Sequence, residues 1–118
     1  MAGLIKRGEI WIVNLEPGFG REIHKKRPAL IISNNSVNQN TYHVIVVPTS
    51  SIVPTVLTDE MIHLGRLKGF DRESVLLPVL IRSIDQDRLI KKIGKISKQK
   101  TAEVEDAIKL VLDLEEID

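Results

Sequence analysis

Apolar residues fall along this chain in short blocks separated by polar turn residues. Glu9 to Leu15 is an almost continuous apolar run, rich in β-branched and aromatic side chains, and predicts a buried strand. Glu16-Pro17-Gly18-Phe19-Gly20 breaks that run. Pro28 to Ser33 predicts a second strand, because proline is tolerated where a strand starts. Asn34 to Asn40 is a polar turn with room for a short helical piece, and Tyr42 to Val47 predicts a third strand that Pro48 stops. Ser50 to Thr58 reads as a loop, Glu60 to Leu64 as a short strand, Gly65 to Arg72 as a turn and Glu73 to Leu77 as another strand. Leu80 to Ile84 is extended or a short turn of helix, and Leu89 to Ile96 is the last strand. Short strands with turn signals between them predict a mainly β protein built as a small barrel, not a parallel α/β sheet.

The period changes near the C-terminus. Ser97 is suited to cap a helix, and Val104, Ala107, Ile108, Val111 and Leu112 then recur at helical spacing. Glu103, Asp106, Lys109 and Asp113 fall on the other face. The pattern predicts an amphipathic helix of roughly four turns that closes one end of the barrel. At 118 residues with 42% apolar content and no internal repeat or linker, the chain suits one domain over 1–118. Aromatics are scarce (Trp11, Phe19, Tyr42 and Phe70), so Ile, Leu and Val must build the core. That scarcity also weighs against an RNA binder of the usual base-stacking kind.

Cysteine is absent, which excludes disulfides, thiol catalysis and cysteine-ligated zinc and fits a reducing cytosol. No apolar run approaches the roughly 20 residues of a membrane span, and the N-terminus is wrongly ordered for a signal peptide. A cytoplasmic protein with no membrane partner is expected. The net charge of +1 hides an uneven distribution. Residues 102–118 hold seven acids and Lys109 as the one base, a net of −6, so the other 101 residues carry +7. A basic body points to a polyanion partner, while the acidic segment is equally well read as a solvated helix face.

Chemical devices are few. His24, His43 and His63 show no metal-ligand spacing, and Asp59-Glu60 near His63 is better read as a solvated strand end. There is no phosphate-cradling glycine loop and no Ser/His/Asp arrangement, so neither a metal nor an organic cofactor is expected. What stands out is Arg21-Glu22-Ile23-His24-Lys25-Lys26-Arg27, four bases and one acid between the first two predicted strands. In an arbitrary protein such a run is a solvated basic loop. Here it is held between rigid strands and ends in Arg27-Pro28, which anchors a guanidinium at a strand start, and a guanidinium is a rigid fork of donors matched to phosphate oxygens. Pro48-Thr49-Ser50-Ser51 ends the third strand and would set hydroxyls beside it if strands two and three are neighbours.

At these residues the chain resembles the MazF/PemK (Kid) toxin family. Arg7-Gly8-Glu9-Ile10-Trp11, Gly20-x-Glu22 with Arg27-Pro28-Ala29-Leu30, Val46-Val47-Pro48-Thr49-Ser50-Ser51, and Ile81-Arg82-Ser83-Ile84-Asp85 with Asp87-Arg88-Leu89 are similar to family motifs and come in the family's order. The resemblance implies an SH3-like β-barrel with a C-terminal helix, usually a homodimer. It also implies metal-independent cleavage of single-stranded RNA (mRNA) and inhibition by a MazE-like antitoxin. By position it makes Arg27 the catalytic arginine and places Ser50 where the family has its catalytic threonine, with Thr49 sharing that role if the strand end is bulged. Glu22 becomes the loop acid that shapes the pocket and touches RNA, among Arg21, His24, Lys25, Lys26 and Ser51 as RNA-binding neighbours. Three positions depart from the family: Ile23 and Leu80 stand where it has glutamines, and His24 where it has a small residue.

Without a metal, the economical route to RNA cleavage is attack by the substrate's own 2′-hydroxyl on the adjacent phosphorus, giving a cyclic phosphate and a 5′-hydroxyl end. Arg27 suits the stabilisation of charge on the phosphorane, and its high pKa makes it a poor base. Glu22 and His24 are the chemically better proton acceptors, and the choice between them stays open here. Arg82, Asp85 and Arg88 alternate in sign and are expected to form an ion-pair network in the barrel wall. Two other readings share the fold, a CcdB-like gyrase poison and an inactive homologue that only binds antitoxin or RNA.

Overall fold

The computed structural model describes residues 4–54, 58 and 60–114. Seven strands form one curled antiparallel sheet: β1 (Glu9–Asn14), β2 (Lys26–Ile31), β3 (His43–Ser50), β4 (Ile62–Arg66), β5 (Glu73–Leu76), β6 (Arg82–Asp85) and β7 (Leu89–Lys95). Two helices complete it, α1 (Asn35–Asn40) and α2 (Lys98–Leu112). The path runs β4-β5-β3-β2-β1-β7, and β6 pairs with β3 beside β5. β6 passes through a single 3-10 turn (Gln86–Arg88) into β7 at the other end of that path, so the chain itself joins the two sides of the curl.

The continuous apolar runs have a simple cause: the central strands are buried on both faces. Ala29 and Ile31 of β2 pack with Val44 and Val46 of β3 and with Trp11, Val13 and Leu15 in one cluster. The alternate residues Leu30, Ile32, Val47 and Leu76 form a second cluster on the opposite face. α2 adds Val104 and Ala107 to that second cluster. The helix therefore covers a face of the sheet instead of the end of a barrel, the place the apolar periodicity alone suggested. Its start is as expected, with the Ser97 hydroxyl accepting from the Lys100 N–H at 3.1 Å. Asn34 caps α1 in the same way, from Val37 N–H at 2.8 Å.

Several boundaries shift by about two residues from expectation, β2 running over Lys26–Ile31 and β4 over Ile62–Arg66, and two differences have a clear local reason. β3 does not stop at Pro48 but runs on to Ser50. The Pro48 carbonyl accepts from Leu77 N–H at 3.0 Å. A residue's N and C=O face the same side of a strand, so the missing N–H falls in the gap between the β6 pairing at residues 43–46 and the β5 pairing at 49–50, where no ladder bond is lost. Gly65 was expected to open a turn but sits inside β4, at φ +76, where the register with β5 shifts between His63 and Gly65. Residues 55–57 and Asp59, which belong to the expected loop and acidic pair, lie outside the described residues.

Candidate active site

Arg27 is the second residue of β2, opposite Val13 of β1. Its guanidinium is held at two points by backbone: Nε donates to the His24 carbonyl at 2.7 Å, and a terminal nitrogen donates to the Thr49 carbonyl at 3.1 Å. The first contact ties it to its own loop and the second to the end of β3. Partial burial lowers its pKa below the ordinary guanidinium value, yet a guanidinium stays protonated at neutral pH. It is a fixed cation with donors to spare.

The loop before it is folded back on itself. Leu15 N–H donates to the Lys25 carbonyl at 3.0 Å. One oxygen of Glu16 accepts from Lys25 N–H and meets His24 Nδ1, both at 2.7 Å. These two contacts, the Lys25 amide first, hold the Glu16 carboxyl below its ordinary pKa. Lys25 itself adopts φ +74, a left-handed conformation uncommon for a residue with a Cβ. Glu22, expected to touch RNA, accepts from Phe19 N–H at 2.9 Å and closes the turn over 19–22. Ile23, which replaces a family glutamine, packs against the first core cluster, so the position has become an apolar anchor for the loop.

A pocket of about 250 Å³ opens beside Arg27. Lys25, Lys26, Arg27 and Arg72 supply its charge, and no acid among the described residues lines it. Ser51, Ser74 and Phe70 supply hydroxyls and one aromatic ring. Arg21, Glu22, His24 and Ser50 are outside its lining. Ser50 is at the end of β3, one peptide bond from the carbonyl that holds Arg27, and its hydroxyl accepts from Ile52 N–H at 3.1 Å. Thr49 requires a correction. Its side chain is buried and donates to the Pro28 carbonyl at 2.7 Å, so the hydroxyl is committed to joining β2 and β3. Thr49 serves Arg27 through its carbonyl instead.

Phe70 and Arg72 were missed because the Gly65–Arg72 stretch read only as a turn. β5 pairs with the last two residues of β3, and this brings the β4–β5 turn beside the start of β2. The signal was one of four aromatics two residues from a base in that turn. Phe19, 83% exposed, lies in the turn before the basic loop and outside the pocket lining.

Other expected clusters take different roles. Arg82, Asp85 and Arg88 form no ion pair with one another among the described residues. Asp85 accepts from Asp87 N–H at 2.8 Å, capping the 3-10 turn, and Arg88 donates to the carbonyls of Asn14 and Glu16, holding the end of β1. His63 meets Glu73 across β4 and β5 at 3.4 Å. A wider cleft of about 640 Å³ lies at the far end of β1, between Lys6, Arg7, Lys95 and Lys98. Among the described residues no group of three His, Asp or Glu could hold a metal ion, and no helix is long and apolar enough to cross a membrane.

Comparison with known proteins gives the family and agrees with the fold. The family model described as a PemK-like, MazF-like toxin of type II toxin–antitoxin systems matches residues 6–112. The chain is 33% identical over 116 residues to the endoribonuclease MazF9 of Mycobacterium tuberculosis, covering 94% of this chain and 98% of that protein. It is 32% identical over 112 residues to the endoribonuclease EndoA of Bacillus subtilis, covering 94% and 97%. Among solved structures, MazF from Deinococcus radiodurans superposes with a TM-score of 0.82 at 23% identity, over 94% of this chain and 98% of that one. A mycobacterial endoribonuclease in complex with its cognate antitoxin superposes at 0.75 with 20% identity, over 96% and 99%. The chain belongs to the PemK-like, MazF-like toxin family of type II toxin–antitoxin systems.

Proposed function

We propose that this chain is a metal-independent endoribonuclease that cuts single-stranded RNA, with Arg27 as the residue that binds the scissile phosphate. The observation that carries the reading is the pocket beside Arg27: four basic side chains, no acid among the described residues, and hydroxyls and a ring within it. A phosphodiester with an adjacent base meets all of these groups, through charge-assisted hydrogen bonds and stacking. The relatives' names as endoribonucleases support it.

In the proposed reaction the 2′-oxygen attacks the neighbouring phosphorus and the bond to the 5′-oxygen breaks. Negative charge grows on the non-bridging oxygens, and a guanidinium already fixed by two carbonyls needs no reorganisation to meet it. Ser51 lines the same pocket, and Ser50 adjoins it with its hydroxyl proton still free to be donated. Incubation of the purified protein with a long single-stranded RNA in EDTA tests the reading. Discrete fragments with 5′-hydroxyl ends are expected. Intact RNA together with trapped gyrase–DNA complexes would replace the reading with a CcdB-like poison.

The same reading includes action in the cytoplasm as a single domain, a MazE-like antitoxin, and a homodimer. A groove of about 330 Å³ supports the dimer. It is lined by Ile32, Ile45, Ile81, Ile108 and Leu114 with Arg7, Ser33, Glu105 and Lys109, and Leu110 and Leu112 stand half-exposed on the same helix α2. Apolar side chains mixed with a polar, charged rim are a feature of interaction surfaces. Leu114→Glu, which puts a charge into the groove, is expected to shift the protein from dimer to monomer mass in light scattering. An unchanged mass would place the dimer contact elsewhere.

A further inference from the structure

We propose that His24, oriented by Glu16, is the general base that takes the 2′-hydroxyl proton in the RNA cleavage described above. The inference rests on that nuclease reading and supplies the proton acceptor it lacks.

The argument begins with the tautomer. The Glu16 oxygen nearest the imidazole also accepts the Lys25 N–H, and the carboxyl is held below its ordinary pKa by that bond and by His24. At neutral pH it is a carboxylate, which can only accept. A contact of 2.7 Å to Nδ1 therefore requires the proton to be on Nδ1. In the neutral ring, Nε2 is then a lone-pair acceptor. Nε2 has no hydrogen-bond partner among the described residues, and the side chain is 45% exposed, so the acceptor is open to substrate.

His24 is outside the pocket lining but directly precedes Lys25, which lines it, and the His24 carbonyl is the acceptor for Arg27 Nε, so one residue carries the proposed base on its side chain and anchors the phosphate-binding cation through its main chain. Gly18 makes room for the ring. A Cβ there would lie 2.5 Å from the His24 Cβ and 3.2 Å from Cδ2. The rival acid of the loop, Glu22, is occupied by Phe19 N–H. Other charges close to the pair are Lys25 and Arg27, both cationic, and Arg88, bonded to the Glu16 carbonyl.

The step balances simply. The 2′-hydroxyl proton passes to Nε2 as the 2′-oxygen bonds to phosphorus. The bond from phosphorus to the 5′-oxygen breaks, leaving the cyclic phosphate. The 5′-oxygen takes a proton from water, and the imidazolium returns its own to water.

His24→Ala, His24→Gln and Glu16→Gln should be assayed on single-stranded RNA in EDTA, with thermal unfolding to confirm the fold. Loss of a positioned general base lowers kcat by about 10²-fold or more. His24→Ala and His24→Gln are expected to show that loss with KM near wild type, and added imidazole should restore cleavage to His24→Ala. Glu16 acts as a positioning residue, so Glu16→Gln should lower kcat alone and add nothing in the His24→Ala background. A kcat within a few-fold of wild type in His24→Gln, or no rescue by imidazole, overturns the assignment while leaving the nuclease reading intact. A wild-type protein that leaves RNA uncut overturns both.

Discussion

Arg27→Ala is expected to lower RNA cleavage by about 10²–10³-fold, the usual cost of removing a preorganised donor from the charge that develops in a transition state. The loss should fall on kcat more than on KM, because Lys25, Lys26 and Arg72 still attract the RNA. The fold should survive. Arg27 is only partly buried and bonds to two carbonyls that water can reach once the side chain is gone, so the stability cost should be near the ~1 kcal/mol of ordinary hydrogen bonds. Arg27→Lys sharpens the test. Lysine keeps a charge but not the planar fork that spans the His24 and Thr49 carbonyls, so it should recover only part of the rate. Single-turnover cleavage with thermal unfolding of each variant decides the matter. Wild-type rates in folded Arg27→Ala would remove this arginine from the chemistry.

How much of this was legible in the sequence depends on how far apart the interacting residues lie. The strands could be read because burial on both faces leaves nearly unbroken apolar runs, as in Glu9–Leu15 and Pro28–Ser33. Which alternate residues faced which cluster was not legible, since a two-sided strand has no polar face to mark the difference. Thr49 illustrates the consequence: its hydroxyl looked available, and strand parity buries it. Arg27 could be singled out because its candidate site is local, a basic loop ending at a strand start. Phe70 and Arg72 were not, because they reach the pocket only through the pairing of β5 with the end of β3. The Glu16–His24 contact was hidden in another way. The two residues are eight apart in a loop whose return depends on the Leu15–Lys25 backbone bond and on Ile23 settling against the core. Leu80 and Ile23 looked like lost base-reading contacts, and for Ile23 the structure shows a packing role instead.

Glu9 should be the most sensitive polar position for stability. It starts β1 almost fully buried. One oxygen accepts from Lys6 N–H at 2.9 Å and from the Trp11 indole at 3.1 Å, and the other meets Lys92 Nζ at 3.1 Å. Burial by itself raises the pKa of this carboxyl, but the three donors outweigh it and the net shift is downward from 4.5. Glu9→Ala leaves a buried indole N–H with no acceptor and is expected to cost about 1–3 kcal/mol. Glu9→Gln keeps an acceptor for Trp11 and Lys6 and loses only the attraction to the half-exposed Lys92, so it should cost under about 1 kcal/mol at neutral pH. The pH dependence separates the two effects. A carboxyl with a lowered folded pKa stabilises the protein fully above its unfolded value and loses that contribution as pH falls through the folded one. Wild type should therefore weaken below pH 4.5 more steeply than Glu9→Gln, with Glu16 and Glu60, both also lowered, responsible for what acid dependence the variant keeps. Urea unfolding followed by the fluorescence of Trp11, the single tryptophan, measures both. Equal midpoints for wild type and Glu9→Ala at neutral pH would show that the indole and the Lys6 amide find other acceptors, and Glu9 would then be dispensable to the fold.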